Sequence, residues 1–239
     1  MISRNQVKLI QSLTQKKYRQ KHGLFVVEGL KGVQEFLQSA FVLHSLFTTE
    51  PLLFDSSIAI TEINADTLKK ISNLKTPNKV LAIFKMPKPK SIKEEGLIVA
   101  LDAVNDPGNL GTIIRLCDWF GIQELVCSQQ TVDCYNTKVI QATMGSLTRV
   151  NINYVDLPEF LSQTQLAVFG TYMNGDNLYK SALPESGVLV MGNEANGISE
   201  TVSKTVTSRL AIPRFGDLKS TESLNVASAT AILLSEFKR

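Results

Sequence analysis

Leu97-Ile-Val-Ala-Leu101-Asp-Ala-Val-Asn-Asp-Pro-Gly-Asn-Leu-Gly-Thr-Ile-Ile-Arg115 runs from an unbroken apolar segment through a polar, glycine-containing loop into a helical pattern. Five consecutive apolar residues without alternation read as a strand buried on both faces, and such strands belong to parallel sheets covered by helices. A helix is expected from about Leu110 to Phe120. The same alternation continues outward. Strands are read at Leu125–Cys127, Val150–Tyr154, Leu166–Thr171, Val188–Met191 and Leu210–Ile212. Helices are read at Asn136–Met144, Pro158–Ser162 and Ser223–Phe237. The expectation is an α/β domain with a mostly parallel sheet. Ligands in such sheets bind beyond the carboxyl ends of the strands, which draws attention to the loops after Leu101, Thr171, Met191 and Ile212.

Before this pattern lies Met86-Pro-Lys-Pro-Lys-Ser-Ile-Lys-Glu-Glu-Gly96, whose prolines, charges and glycine oppose helix and strand alike. It reads as a linker between a domain at 1–90 and a second at 96–239. The first domain is a smaller α/β unit. Ser3 caps a helix carrying Val7, Ile10 and Leu13, and an amphipathic helix spans Leu30–Leu37. Strands are read at Leu24–Val27, Val42–Phe47, Ile58–Thr61 and Val80–Phe84, with a helix over Asp66–Ile71.

Composition is that of an ordinary globular chain, with 44% apolar and 20% charged residues. No apolar run has the length of a membrane span, and no secretory h-region is present at the N-terminus. Cys117, Cys127 and Cys134 have no CxxC spacing, and with only His22 and His44 no metal site is indicated. Idle thiols suit a reducing cytoplasm. The net charge of +3 conceals an asymmetry: residues 1–95 hold 15 Lys/Arg against 8 Asp/Glu, and residues 96–239 hold 10 against 14. No acid precedes Glu28, whereas Lys8, Lys16, Lys17, Arg19 and Lys21 do. Either these are a solvated helix face or they face a polyanion such as RNA.

Three loops carry residues suited to chemistry. In the first, Asn109 and Arg115 lie six apart across a loop-to-helix junction and can point into one crevice. Pro107 and Gly108 read there as a turn, and Gly111 as a point of close backbone approach. The guanidinium fork suits a phosphate; a turn with a structural arginine is the other reading. There is no GxxxxGK[ST], and Gly108 and Gly111 do not form GxGxxG, which sets aside nucleotide-cofactor oxidoreductases. In the second, Val190-Met-Gly-Asn-Glu-Ala-Asn-Gly-Ile-Ser199, Glu194 sits at the tip, either as an exposed carboxylate or to orient a partner. In the third, Pro213 ends a strand and a small-residue helix begins at Ser223–Asn225, with Ser223 as a suitable cap.

DPGNLGTIIR, MGNEANGIS and IPRFGDLKSTESLNVASATAILLSE, in this order, resemble the three motifs of the SpoU (TrmH-like) branch of the SPOUT RNA methyltransferases. The segment from Asp133 to Ser146 resembles a family stretch between the first two, and the likeness spans about 97–236. Residues 1–90 resemble the ribosomal-protein-like substrate-binding domain that precedes many such domains, most clearly from Lys17 to Gly29. The resemblance implies a parallel α/β sheet with a C-terminal trefoil knot, although chains are otherwise almost never knotted. It implies S-adenosylmethionine as donor, S-adenosylhomocysteine as product and no metal. Donor contacts are implied at Thr171, Tyr172, Met173, Gly192, Asn193, Glu194, Gly197, Ile212, Ser223, Leu224 and Asn225. It implies a homodimer with its active site near the subunit interface, acting on a ribose 2′-hydroxyl of structured RNA, ribosomal RNA ahead of transfer RNA.

The implied catalytic cluster is Asn109, Arg115, Glu194, Ser223 and Asn225. An arginine is protonated at any ordinary pH and more firmly so beside a phosphate. Arg115 is therefore expected to clamp a phosphate and stabilise alkoxide charge rather than to act as base. A catalytically silent RNA-binding dimer is the rival from another class, and the complete polar cluster argues against it.

Overall fold

The computed structural model describes residues 2–215 and 223–239, which form two compact units: residues 2–88 with 133–148, and residues 89–132 with 149–239.

In the first unit, α1 (Arg4–Ser12) starts with a capping box in which Ser3 Oγ accepts the Gln6 N–H and Gln6 Oε1 accepts the Ser3 N–H. Helix α2 (Lys16–His22) ends at Gly23, whose φ of 63° is the left-handed cap that glycine permits. There follow β1 (Leu24–Glu28), α3 (Leu30–Leu37), β2 (Leu43–Thr48), β3 (Thr61–Glu62), α4 (Ala65–Ile71) and β4 (Val80–Lys85). The sheet order is β1-β4-β2-β3, antiparallel except for the β2–β3 pair. Ile10, Leu13, Val26, Phe47, Leu68 and Ile83 share one core, while Phe25, Phe36, Phe41 and Phe84 form a ring cluster. The strand expected at Ile58–Thr61 shrinks to Thr61–Glu62. Asp55 and Ile58 close a turn instead, with the Ile58 N–H on the Asp55 carbonyl and the Ser57 N–H on Asp55 Oδ1.

The second unit opens with β5 (Leu97–Leu101), α5 (Pro107–Trp119) and β6 (Glu124–Ser128). Residues 133–148, carrying α6 (Thr137–Thr143), group with the first unit. There the Tyr135 ring lies 4.7 Å from that of Phe25. The second unit resumes with β7 (Asn151–Val155), α7 (Leu157–Gln163), β8 (Val168–Asn177), β9 (Gly187–Met191), α8 (Glu200–Ser203), β10 (Ser208–Ala211) and α9 (Val226–Phe237). Its sheet order is β10-β8-β9-β5-β6-β7, and every pairing is parallel. Ile98, Ala100, Val126, Val188 and Val190 pack with Leu157, Leu161 and Val202 of the α7–α8 layer. The alternate residues Val99, Leu101, Leu125 and Leu189 are equally buried, so both faces are covered. Helices α5 and α9 pack against each other.

Two boundaries differ from expectation in ways that matter for the site. Helix α5 begins at Pro107 rather than near Leu110. Asp106 is its cap and Pro107, lacking an N–H, occupies the first turn where none is needed. Strand β8 runs on to Asn177 instead of ending at Thr171, yet it is interrupted: Gly170 pairs with Arg209 and Asp176 with Leu210, so residues 171–175 bulge out between adjacent partners. Gly175 lies where a Cβ would come within 2.8 Å of the Arg209 carbonyl oxygen, a close backbone approach that excludes a side chain.

Candidate active site

The register Leu101↔Met191 brings the loops after β5 and β9 side by side. They are stitched together by donors and acceptors that the loops could not satisfy alone. Asn193 Nδ2 donates to the Ala103 carbonyl at 2.7 Å, and the Ser199 N–H donates to Asp102 Oδ2 at 2.7 Å. Ala103 adopts a φ of 56°, the one left-handed non-glycine position in this loop. Within the β9 loop, Asn193 and Gly197 exchange reciprocal backbone hydrogen bonds of 2.9 Å, and Asn193 Oδ1 accepts from the Ala195 and Asn196 N–H groups. Gly192 faces this turn so closely that a Cβ would lie 2.3 Å from Gly197 backbone.

On this platform three polar side chains join. Asn225 caps α9, its Oδ1 accepting the Ala227 and Ser228 N–H groups at 3.0 and 3.2 Å. That fixes the amide orientation and leaves Nδ2 to donate to Asn109 Oδ1 at 2.9 Å. Asn109, in the first turn of α5, in turn donates from Nδ2 to Glu194 Oε1 at 2.9 Å. Glu194 also lies 3.4 Å from the Asn105 and Asp106 N–H groups, where a helix N-terminus favours negative charge. Residues 109, 194 and 225, far apart in sequence, thus form one directional chain of hydrogen bonds ending on a carboxylate.

Arg115 stands apart. It is exposed and has no hydrogen bond or ion pair with any described residue. Both it and Asn109 lie on α5, so six residues of helix rotate it by roughly 120° and carry it about 9 Å along the axis. The two side chains therefore leave α5 in different directions, and Arg115 takes no part in the hydrogen-bond chain of Asn109. Two residues on, Cys117 is on the buried side of the same helix, and burial pushes its thiol up to about 12.

The remaining candidates divide. Ser223, read as the α9 cap, is exposed and lies two residues before the actual cap, Asn225. Thr171 donates from Oγ1 to the Val190 carbonyl. Tyr172 is committed to Ser203 through its hydroxyl and to Arg209, whose guanidinium lies over the ring at 4.7 Å. Met173 and Leu224 are 46% and 51% exposed, and Ile212 directly follows β10. In the first unit Lys8, Lys16, Lys17 and Lys21 are exposed. Arg19 is not available to RNA. It is 2% exposed, its Nε donates to Asp133 Oδ2 at 2.9 Å, and Nη1 donates to the Leu13 and Thr14 carbonyls. The sequence reading missed Asp102 and Asp106, which hold the loops; the Asp-Pro pair at 106–107 was the available signal for the second. Among the described residues no group of His, Cys, Asp or Glu could hold a metal ion.

Residues 96–235 match the model of the SpoU rRNA Methylase family. The chain belongs to this family. Residues 4–82 match the MRM3-like substrate binding domain. The chain is 30% identical to the 23S rRNA (guanosine(2553)-2′-O)-methyltransferase RlmP of Bacillus subtilis over 236 residues, covering 95% of this chain and 94% of that one. Among solved structures it is similar to a putative RNA methyltransferase of the TrmH family from Porphyromonas gingivalis, with a TM-score of 0.91, 38% identity and coverage of 99% and 98%. It is also similar to an AdoMet-bound rRNA methyltransferase from Sinorhizobium meliloti, with a TM-score of 0.86, 30% identity and coverage of 100% and 96%. These SpoU-family likenesses extend over both units.

Proposed function

We propose that this SpoU-family chain transfers a methyl group from S-adenosylmethionine to a ribose 2′-hydroxyl of ribosomal RNA. The observation that carries the reading is the Asn225–Asn109–Glu194 hydrogen-bond chain, with Arg115 further along the helix that carries Asn109 and without a partner among the described residues. The loops suit an adenosyl donor: Met173 and Leu224 present apolar surface, and Gly192 lets the β9 loop fold back closely on Gly197. Glu194 supplies negative charge near a sulfonium. When bound, the donor supplies an electrophilic methyl already activated by its positive charge. The chain's own residues then align and stabilise. Asn109 and Asn225 hold the loops so that the 2′-oxygen is directed in line, and Arg115 grips the adjoining phosphate and stabilises developing alkoxide charge. The proton leaves to water or phosphate, since a phosphate-paired guanidinium is a poor base.

Because Arg115 diverges from the cluster of its own chain, the reading includes a homodimer in which each subunit's arginine serves its partner's cluster. Mixing Arg115→Ala and Asn225→Ala proteins, each inactive alone, should restore about a quarter of wild-type turnover after subunit exchange; no recovery from a mixture that has exchanged would remove the shared site. The implied knot depends on the path of 216–222, which lies outside the described residues. A cytoplasmic setting is part of the proposal and accords with the burial of Cys117, Cys127 and Cys134. The deciding experiment incubates the protein with labelled S-adenosylmethionine and unmodified 23S rRNA and tRNA transcripts. Label in 23S rRNA, mapped to a 2′-O-methyl group, is expected. Label confined to tRNA, or found on a base, would refute the reading.

A further inference from the structure

Strand β6 ends on Ser128, and the Thr131 N–H closes a turn on the Ser128 carbonyl at 3.0 Å. The turn sets two buried hydroxyls side by side, with Ser128 Oγ and Thr131 Oγ1 3.2 Å apart. Thr131 Oγ1 donates to the Leu101 carbonyl at 3.2 Å, and Ser128 Oγ accepts the Ala103 N–H at 2.9 Å. A hydroxyl has one hydrogen to give. That of Thr131 is engaged by Leu101, so Ser128 is the donor of the pair. The bonds therefore run one way, from the Ala103 N–H through Ser128 and Thr131 to the Leu101 carbonyl.

Both ends of this chain lie where β5 passes into its loop. Ala103 stands there at a φ of 56°. Its N–H is held by Ser128 and its carbonyl by Asn193 Nδ2, while the Val132 N–H donates to the Val104 carbonyl at 3.0 Å. Just beyond, the Asn105 and Asp106 N–H groups face Glu194, and Asp106 Oδ1 accepts the Asn109 N–H. A non-glycine residue keeps a left-handed conformation only where its surroundings hold it. We propose that Ser128 and Thr131 are positioning residues for methyl transfer, their paired hydroxyls locking the turn at Ala103 and with it the placement of Glu194 and Asn109. This rests on the RNA-methylation reading and adds to it two residues outside the three motif loops. They act through the loop and not on the reacting atoms. Removing either hydroxyl leaves a buried backbone group unmet and lets the turn relax.

Thr131→Val keeps the shape and removes the hydroxyl; Thr131→Ser keeps the hydroxyl and removes a methyl group. Turnover of 23S rRNA transcript is measured well below the melting midpoint of every variant. Thr131→Val should lower kcat about tenfold with KM for RNA within about twofold, and Thr131→Ser should keep kcat within about threefold of wild type. Ser128→Ala, which frees the Ala103 N–H and leaves Thr131 on Leu101, should match Thr131→Val and carries the same test should that variant not fold. Hydrogen exchange supplies a readout that needs no methyl transfer. In Thr131→Val and Ser128→Ala, amides of 103–106 and 193–197 should exchange at least about tenfold faster, with those of β5 and β6 unchanged. A Thr131→Ser variant as damaged as Thr131→Val assigns the position to packing and overturns the proposal, as does wild-type kcat in Ser128→Ala. Exchange that quickens throughout β5 and β6, or nowhere, also overturns it. Quickening confined to the two loops, with no methyl transfer by wild type to any transcript, supports the hydroxyl lock and refutes the methylation reading instead.

Discussion

Asn225 illustrates how one side chain serves both architecture and chemistry. Its oxygen caps α9 and its nitrogen holds Asn109, so the two roles separate by substitution. Asn225→Ala should cost about 1 kcal/mol in urea denaturation for the missing cap and lower methylation turnover by roughly two orders of magnitude. Asn225→Asp should keep the cap and the stability but lose turnover, because a carboxylate cannot donate to Asn109 Oδ1. Equal turnover in wild type and Asn225→Asp would remove the hydrogen-bond chain from the mechanism. At the same scale, Cys117 should resist thiol reagents at pH 8 in the folded protein and react once denatured. Its folded pKa of about 12 exceeds the ordinary value of 9.0. Between these the unfolded chain releases a proton that the folded chain retains, so this thiol makes stability fall as pH rises from about 9 towards 12. Cys117→Ser should flatten that slope in a pH series of denaturation midpoints.

At the scale of elements, most strands of the parallel sheet were legible because they are short contiguous apolar runs, and the cap at Ser3 was legible because a cap acts on N–H groups two or three residues away. The start of α5 was misplaced because Pro107 and Gly108 look like a turn, whereas Asp106 followed by proline is equally a helix entry. The interrupted β8 was not legible, since its bulge is set by where β10 lies against it. Helix α2 teaches the same lesson through Arg19. Among neighbouring lysines it reads as one more surface cation, but Asp133, 114 residues later, buries it in an ion pair. Arg19→Met should lose about 3–5 kcal/mol in urea denaturation, since Asp133, only 12% exposed, is left without its cation. It should leave the salt dependence of RNA binding unchanged, and a reduced salt slope would return Arg19 to the RNA surface.

For the whole molecule, charge asymmetry survives folding where it matters: Lys8, Lys16, Lys17 and Lys21 remain exposed on the unit that matches a substrate-binding domain. Reversing all four to Glu should weaken binding to 23S rRNA transcript and reduce its log–log salt slope by roughly 0.7–0.9 for each phosphate that is no longer neutralised. Wild-type affinity in that variant would place the RNA elsewhere.

The α/β alternation, the three polar loops and the family they signal are properties of the chain read in order, because strands, caps and motif spacings depend on residues close in sequence. The meeting of Asn109, Glu194 and Asn225, the isolation of Arg115 and the burial of Arg19 are not. They depend on which strands lie side by side and on the helical phase at which α5 begins, and those are settled by long-range packing, which no local pattern records.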